Sequence, residues 1–151
     1  MRVKNLCWSV LTFMVVALMG MSFASCGSDD DDDEVTNPAE AIVGTWQGEN
    51  DEGGLTYVFN ADGKCTLVSE KNAVLFKVKT RKSGTYVLKD NKLTMSWTKF
   101  EQGMPLSDDT WFDMEGSKET SSMTISMSKK KLTFTEENGK KIEKPVVLTK
   151  K

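Results

Sequence analysis

The reactive inventory of this chain is short: three thiols, 22 carboxylates and no imidazole. Without histidine the chain lacks the usual general base, the commonest metal ligand, and any Cys-His or Ser-His-Asp constellation. Its many serines and threonines therefore read as the polar outer faces of strands. Carboxylates gather at Glu49, Asp51 and Glu52, and again at Asp108, Asp109, Asp113 and Glu115. Paired-carboxylate hydrolysis needs two such groups held across a substrate, one of them raised in pKa by burial. Neither group has the apolar neighbours that would do this. The Asn60-Ala61-Asp62-Gly63 turn offers oxygen ligands, but it is too short for an EF-hand and lacks the distal glutamate. These loops are expected to be solvated, with no metal, no cofactor and no catalysis.

The thiols are Cys7, Cys26 and Cys65. Arg2 and Lys4 precede an apolar run over 6–21, and the small residues Ala24 and Ser25 stand just before Cys26. That order reads as a secretory signal ending in a lipobox, with Cys26 as the acylated residue that would carry palmitate-type chains. An uncleaved membrane helix or an ordinary cleaved signal are the alternatives, because the run approaches the length of a span. After Gly27 come Ser28, Asp29, Asp30, Asp31, Asp32 and Asp33, then Glu34. A run of like charge stays solvated and serves as a tether. The chain thus divides into 1–25 (signal), 26–41 (lipidated cysteine and acidic disordered tether) and 42–151 (folded body). Cys7 leaves with the signal and Cys26 carries lipid, so Cys65 has no disulfide partner and is expected to be buried.

Charge follows the same division. The net charge is -2, yet seven of the 22 acidic residues and only Arg2 and Lys4 among the 20 basic ones precede Ile42. The body is mildly basic, without the dense basic face that nucleic acid requires, and Lys129, Lys130 and Lys131 read as a hairpin turn.

Within the body, apolar residues alternate with polar ones, and no helical spacing is sustained. Leu55, Tyr57 and Phe59 share one face, the turn at 60–63 follows, and Cys65 and Leu67 return on that same face. A further extended run over 73–79, a hairpin turned by Asp90 and Asn91, and Leu93, Met95 and Trp97 come next. The stretch 100–109 reads as irregular, Trp111 opens a short strand, and Met123, Ile125 and Met127 alternate before Leu132 and Phe134. Asn138-Gly139 is a hairpin dipeptide, and Pro145 implies an edge or bulged position in the last strand. The prediction is an all-β antiparallel up-and-down meander of eight to ten strands, closed into a small barrel so that no edge is left exposed.

Two resemblances attach to these residues. Gly44-Thr45-Trp46 looks like the Gly-x-Trp motif of lipocalins, and the blocks at 59–63, 84–86 and 91–94 resemble the repeated hairpins of bacterial lipocalin-like lipoproteins. This implies a lipocalin-like barrel across the body. The arginine that packs over the tryptophan from the last strand in that family has no counterpart near Leu148, Lys150 being a loose substitute. The Ser28 and aspartate run resembles the export signal of surface lipoproteins in the Gram-negative lineage of gut anaerobes, which implies an outer-membrane, cell-surface location. The bare alternative is a charged spacer.

Trp46 is expected to plug the closed end of the barrel. Tyr57, Tyr86, Met95, Trp97, Trp111, Met123 and Met127 would either line a ligand cavity or fill a solid core. The leading expectation is non-catalytic binding of a small apolar or amphipathic ligand by a protein attached to the membrane through its lipid. The competing one is a filled barrel whose loops dock another envelope protein or a glycan.

Overall fold

Among the described residues, alternating side chains punctuated by tight turns build nine antiparallel strands: β1 (Gly44–Asn50), β2 (Gly53–Phe59), β3 (Lys64–Asn72), β4 (Lys77–Lys89), β5 (Lys92–Gly103), β6 (Trp111–Met114), β7 (Glu119–Met127), β8 (Lys131–Glu137) and β9 (Lys140–Lys150). A single helical turn, α1 (Pro38–Ala41), precedes them within the stretch assigned to the tether. The computed structural model describes residues 35–151 except Leu106 and Asp108. The signal segment, Cys26, Ser28 and the five aspartates lie outside the described residues.

Eight strands close into an up-and-down barrel in the order β1-β2-β3-β4-β5-β7-β8-β9, with β9 returning to β1 and β4 pairing β5. The ninth, β6, pairs the far end of β5, where Phe100 opposes Met114, while Trp97 of β5 opposes Glu119 of β7. Strands β6 and β7 thus run along the same side of β5, separated by 115–118. Two sequence expectations are corrected here. The stretch 100–109 is not irregular throughout, because β5 continues to Gly103 before the turn closed by the Met104 amide on the Thr110 carbonyl at 3.0 Å. The run over 73–79 is a turn followed by the start of a 13-residue β4. Polar and charged residues on both faces of β4 and β5 hid the continuity of these two strands.

Turn chemistry sets the register. Asn138 and Gly139 both have positive φ, 50° and 77°, the two-residue geometry whose twist matches the flanking strands. Strand β4 shifts register between Ser83 and Gly84, and a side chain at Gly84 would run into the backbone of Ser96 on β5. Glycine therefore lets the two strands cross closely. Near Pro145 the β8–β9 ladder jumps from Phe134 opposite Val146 to Glu136 opposite Lys141, so the proline sits in a bulge, where its missing amide costs no ladder bond.

Because the strands alternate in direction, the β2–β3, β4–β5 and β7–β8 turns share one end of the barrel. That end is filled. Ile42 and Trp46 are fully buried, and the Trp46 indole nitrogen donates to the Ile42 carbonyl at 2.7 Å. Lys150, opposite Trp46 in the ladder, holds its ammonium 5.3 Å from the indole centroid and donates to the Ala41 carbonyl at 2.8 Å. A lysine therefore does from the last strand what the sequence offered no arginine for, and it ties α1 to the barrel.

On the outer wall the Arg81 guanidinium grips the buried carboxylate of Glu101 at 2.7 and 2.8 Å, while Lys99 adds a third contact at 2.9 Å. These charge-assisted bonds hold the Glu101 carboxyl down at about 2. Arg81 also covers the Trp111 ring at 4.3 Å, which fastens β6 to the β4–β5 ribbon.

Cys65 opposes Phe59 and is 1% exposed, and burial pushes its thiol up to about 11. A bulky thiol reagent is therefore expected to label it slowly in the folded protein and fast in denaturant. Rapid labelling of the native state would contradict this register.

Candidate functional site

The other end of the barrel, carrying the β1–β2, β3–β4, β5–β6 and β8–β9 turns, is open. There β1 to β3 and β7 to β9, with their turns, line an open-mouthed cavity of about 820 Å³. Its apolar wall comes from inward positions of β2, β3, β7, β8 and β9: Leu55, Leu67, Met123, Phe134, Ile142 and Val146. Period two explains these positions, since Leu55, Tyr57 and Phe59 share a face and Tyr57 opposes Leu67 across the β2–β3 ladder.

Tyr57 marks the boundary between hollow and solid. Its ring stacks on Phe59 at 5.9 Å and meets the edge of Phe134 at 5.4 Å. Phe59 in turn packs edge-on against Tyr86 at 4.9 Å. Tyr57 is only 5% exposed, and burial, with the nearby Glu137 charge adding to it, pushes its phenol well above the usual range. No residue among those described hydrogen-bonds its hydroxyl. Yet no fully buried side-chain oxygen or nitrogen among the described residues lacks a partner. The hydroxyl must therefore be reached from the cavity that Tyr57 lines.

The mouth is charged. Glu49, Asp51, Glu52, Glu70, Glu137 and Glu143 face Lys71 and Lys144 around it. Both lysines are engaged, Lys71 with Glu52 at 2.6 Å and Lys144 with Asp51 at 3.0 Å. Glu70 is paired from outside the mouth by Lys79 at 3.5 Å and Lys77 at 4.0 Å. These surface pairs are worth little to stability, and they leave Glu49, Glu137 and Glu143 as the acids of the mouth without an ion pair among the described residues.

The residues singled out from sequence divide between the two halves of the barrel. Tyr57 and Met123 line the cavity. Met95 and Trp97 are buried in the solid core, where the Trp97 indole donates to Ser121 Oγ at 3.1 Å. Tyr86 sits toward the closed end and donates its hydroxyl to the Asn60 carbonyl at 2.9 Å. Met127 packs on the core beside the β7–β8 turn, opposite Leu132, and Trp111 lies on the outer wall beneath Arg81. Sequence reasoning missed Leu55, Leu67, Phe134, Ile142 and Val146 as cavity wall, although strand alternation marks the first three as inward. Of the two carboxylate groups, Glu49, Asp51 and Glu52 reach the cavity mouth. Asp113 stands on the outer wall, 3.2 Å from Lys99. Among the described residues no group of three histidine, cysteine or acidic side chains could hold a metal ion.

No protein-family model, curated protein or solved structure matches this chain.

Proposed function

We propose that this chain is a surface-anchored lipoprotein whose lipocalin-like barrel binds a small apolar or amphipathic ligand without catalysing a reaction. The observation that carries the reading is the cavity: about 820 Å³, lined by apolar side chains below a charged mouth and open at one end of a barrel whose other end is plugged by Trp46. Such a volume suits a ligand of a few tens of heavy atoms, and apolar side chains beneath a charged mouth suit one with a polar end. Lys150 over Trp46 supports the likeness to lipocalins. Lipidation of Cys26 and display through the aspartate run rest on the amino-acid sequence.

One protein tests both parts. Cys26→Ser is expected to leave the membrane fraction, since acyl chains would be what holds the chain there. Native mass spectrometry of this released protein is expected to find a stoichiometric apolar molecule that organic extraction removes. Full membrane retention would end the anchor assignment, and a ligand-free protein that also takes up no added lipid would end the binding assignment.

A second reading is favoured by a specific surface. Val74 and Leu75 are 101% and 90% exposed at the β3–β4 turn, and Phe76, Met104, Phe112 and Met114 are also exposed on that turn and the adjoining β5–β6 hairpin. Exposed apolar surface of this kind marks contact sites. In that reading the open end docks another envelope protein or a glycan. It becomes the better account if the cavity proves unable to take up ligand.

A further inference from the structure

Resting on the proposed binding function, we infer that the cavity selects amphiphiles with a cationic head, an organic ammonium on an apolar body, over those with an anionic head. The argument begins with which charges a bound head group would meet. Six carboxylates and two ammonium groups surround the opening, and both ammonium groups are held by Glu52 and Asp51. Glu49, Glu137 and Glu143 remain exposed at the mouth, with no ion pair among the described residues. An apolar tail inserted past them would leave its head group in a field of net negative charge over a low-dielectric wall, where electrostatic discrimination is stronger than in bulk water. A carboxylate head would meet uncompensated repulsion there, and among the described residues that line the opening both cations, Lys71 and Lys144, are already engaged.

The interior points the same way. The Tyr57 hydroxyl is a polar group at the inner limit of the cavity, on a residue 5% exposed and without a hydrogen-bond partner among the described residues, while Ser69 and Asn50 also line the cavity. It lies within electrostatic reach of Glu137. A phenol oxygen can accept a hydrogen bond from an ammonium N–H, and the carboxylate beside it can balance the charge. A carboxylate ligand could accept a bond from the same phenol, but only at the cost of approaching Glu137. The hydroxyl gives the head group a fixed point, and the rim gives it a sign.

Competition between dodecylammonium and dodecanoate for a bound neutral apolar probe tests this, because the two ligands share chain length and differ in head charge. The unlipidated Cys26→Ser protein is expected to bind the ammonium at least about tenfold more tightly at low salt. That preference should shrink as ionic strength rises and the Debye length falls below about 10 Å. In a Glu49→Gln, Glu137→Gln, Glu143→Gln variant the preference should largely vanish while the thermal midpoint holds, since all three side chains are exposed. Glu137→Gln alone should move it in the same direction and serves if the triple variant does not fold. Equal binding of the two ligands, tighter binding of dodecanoate, or a preference that survives both variants would overturn the inference and leave the binding function standing. If neither ligand nor the probe binds, the binding function falls and the inference falls with it.

Discussion

Trp46→Ala is expected to cost about 3–5 kcal/mol, the usual range for deleting a large buried aromatic side chain. For a small domain whose whole stability is about 5–15 kcal/mol, that is enough to bring it near unfolding at physiological temperature. Three separate losses add up at this position. The indole is fully buried, so its removal leaves a void at the closed end that the short β1 backbone cannot collapse to fill. Its nitrogen satisfies the Ile42 carbonyl at 2.7 Å, and that acceptor would be left without its buried donor. Lys150 loses the ring beneath its ammonium, which weakens its hold on Ala41 and on α1. Denaturant unfolding measures the sum. A loss below about 1 kcal/mol would show that the closed end is not a packed plug.

Met95→Ala is expected to cost about 2–5 kcal/mol while leaving affinity for an apolar probe unchanged. Met95 is fully buried, opposite Tyr86 on β4 and Ser121 on β7, and it lies outside the cavity wall. Its deletion therefore opens a void in the solid half of the barrel, where the interior is close-packed and relaxes only in part. Unfolding free energy and probe titration on this single variant locate the border between core and cavity. A stable Met95→Ala protein with altered probe affinity would extend the cavity to Met95, deeper than Tyr57 marks its floor.

Much of this architecture was legible in the sequence because two-residue periodicity and turn chemistry are local signals. Tyr57 and Phe59, Cys65 and Leu67, and Leu93, Met95 and Trp97 declare their inward face without reference to any other strand, and Asn138-Gly139 fixes its hairpin by φ alone. The long ribbon of β4 and β5 was not legible, because Lys77 to Lys82 and Lys99 to Gln102 carry charged or polar side chains on both faces. What makes them strand is the Arg81, Glu101 and Lys99 network, which exists only once the strands have paired. The role of Lys150 was equally hidden, since it depends on the register of β9 against β1.

The cavity was half legible. Alternation says which residues point inward, but it does not say how far along each strand the interior stays filled. Met95 and Leu67 look alike in this respect, yet one is sealed in the core and the other walls the cavity. In a meander, inward residues near every second turn share one end, so counting turns from Trp46 places Leu55 and Ile142 together toward the open end, with Leu67 below them opposite Tyr57. Whether that end is hollow depends on summed side-chain volumes across five strands, a quantity no single segment contains.

The most direct measurement of the central claim is titration of the Cys26→Ser protein and its Leu67→Trp derivative with a fluorescent apolar probe. Leu67 is part of the cavity wall opposite Tyr57, so an indole there should occupy ligand space and should not strain a packed core. The parent is expected to bind one probe saturably. Leu67→Trp should bind it at least about tenfold more weakly, a loss of about 1.4 kcal/mol, with its thermal midpoint within a few degrees of the parent. A parent that binds no probe, or a Leu67→Trp protein that binds it as well as the parent does, would contradict a ligand-binding barrel open at this end.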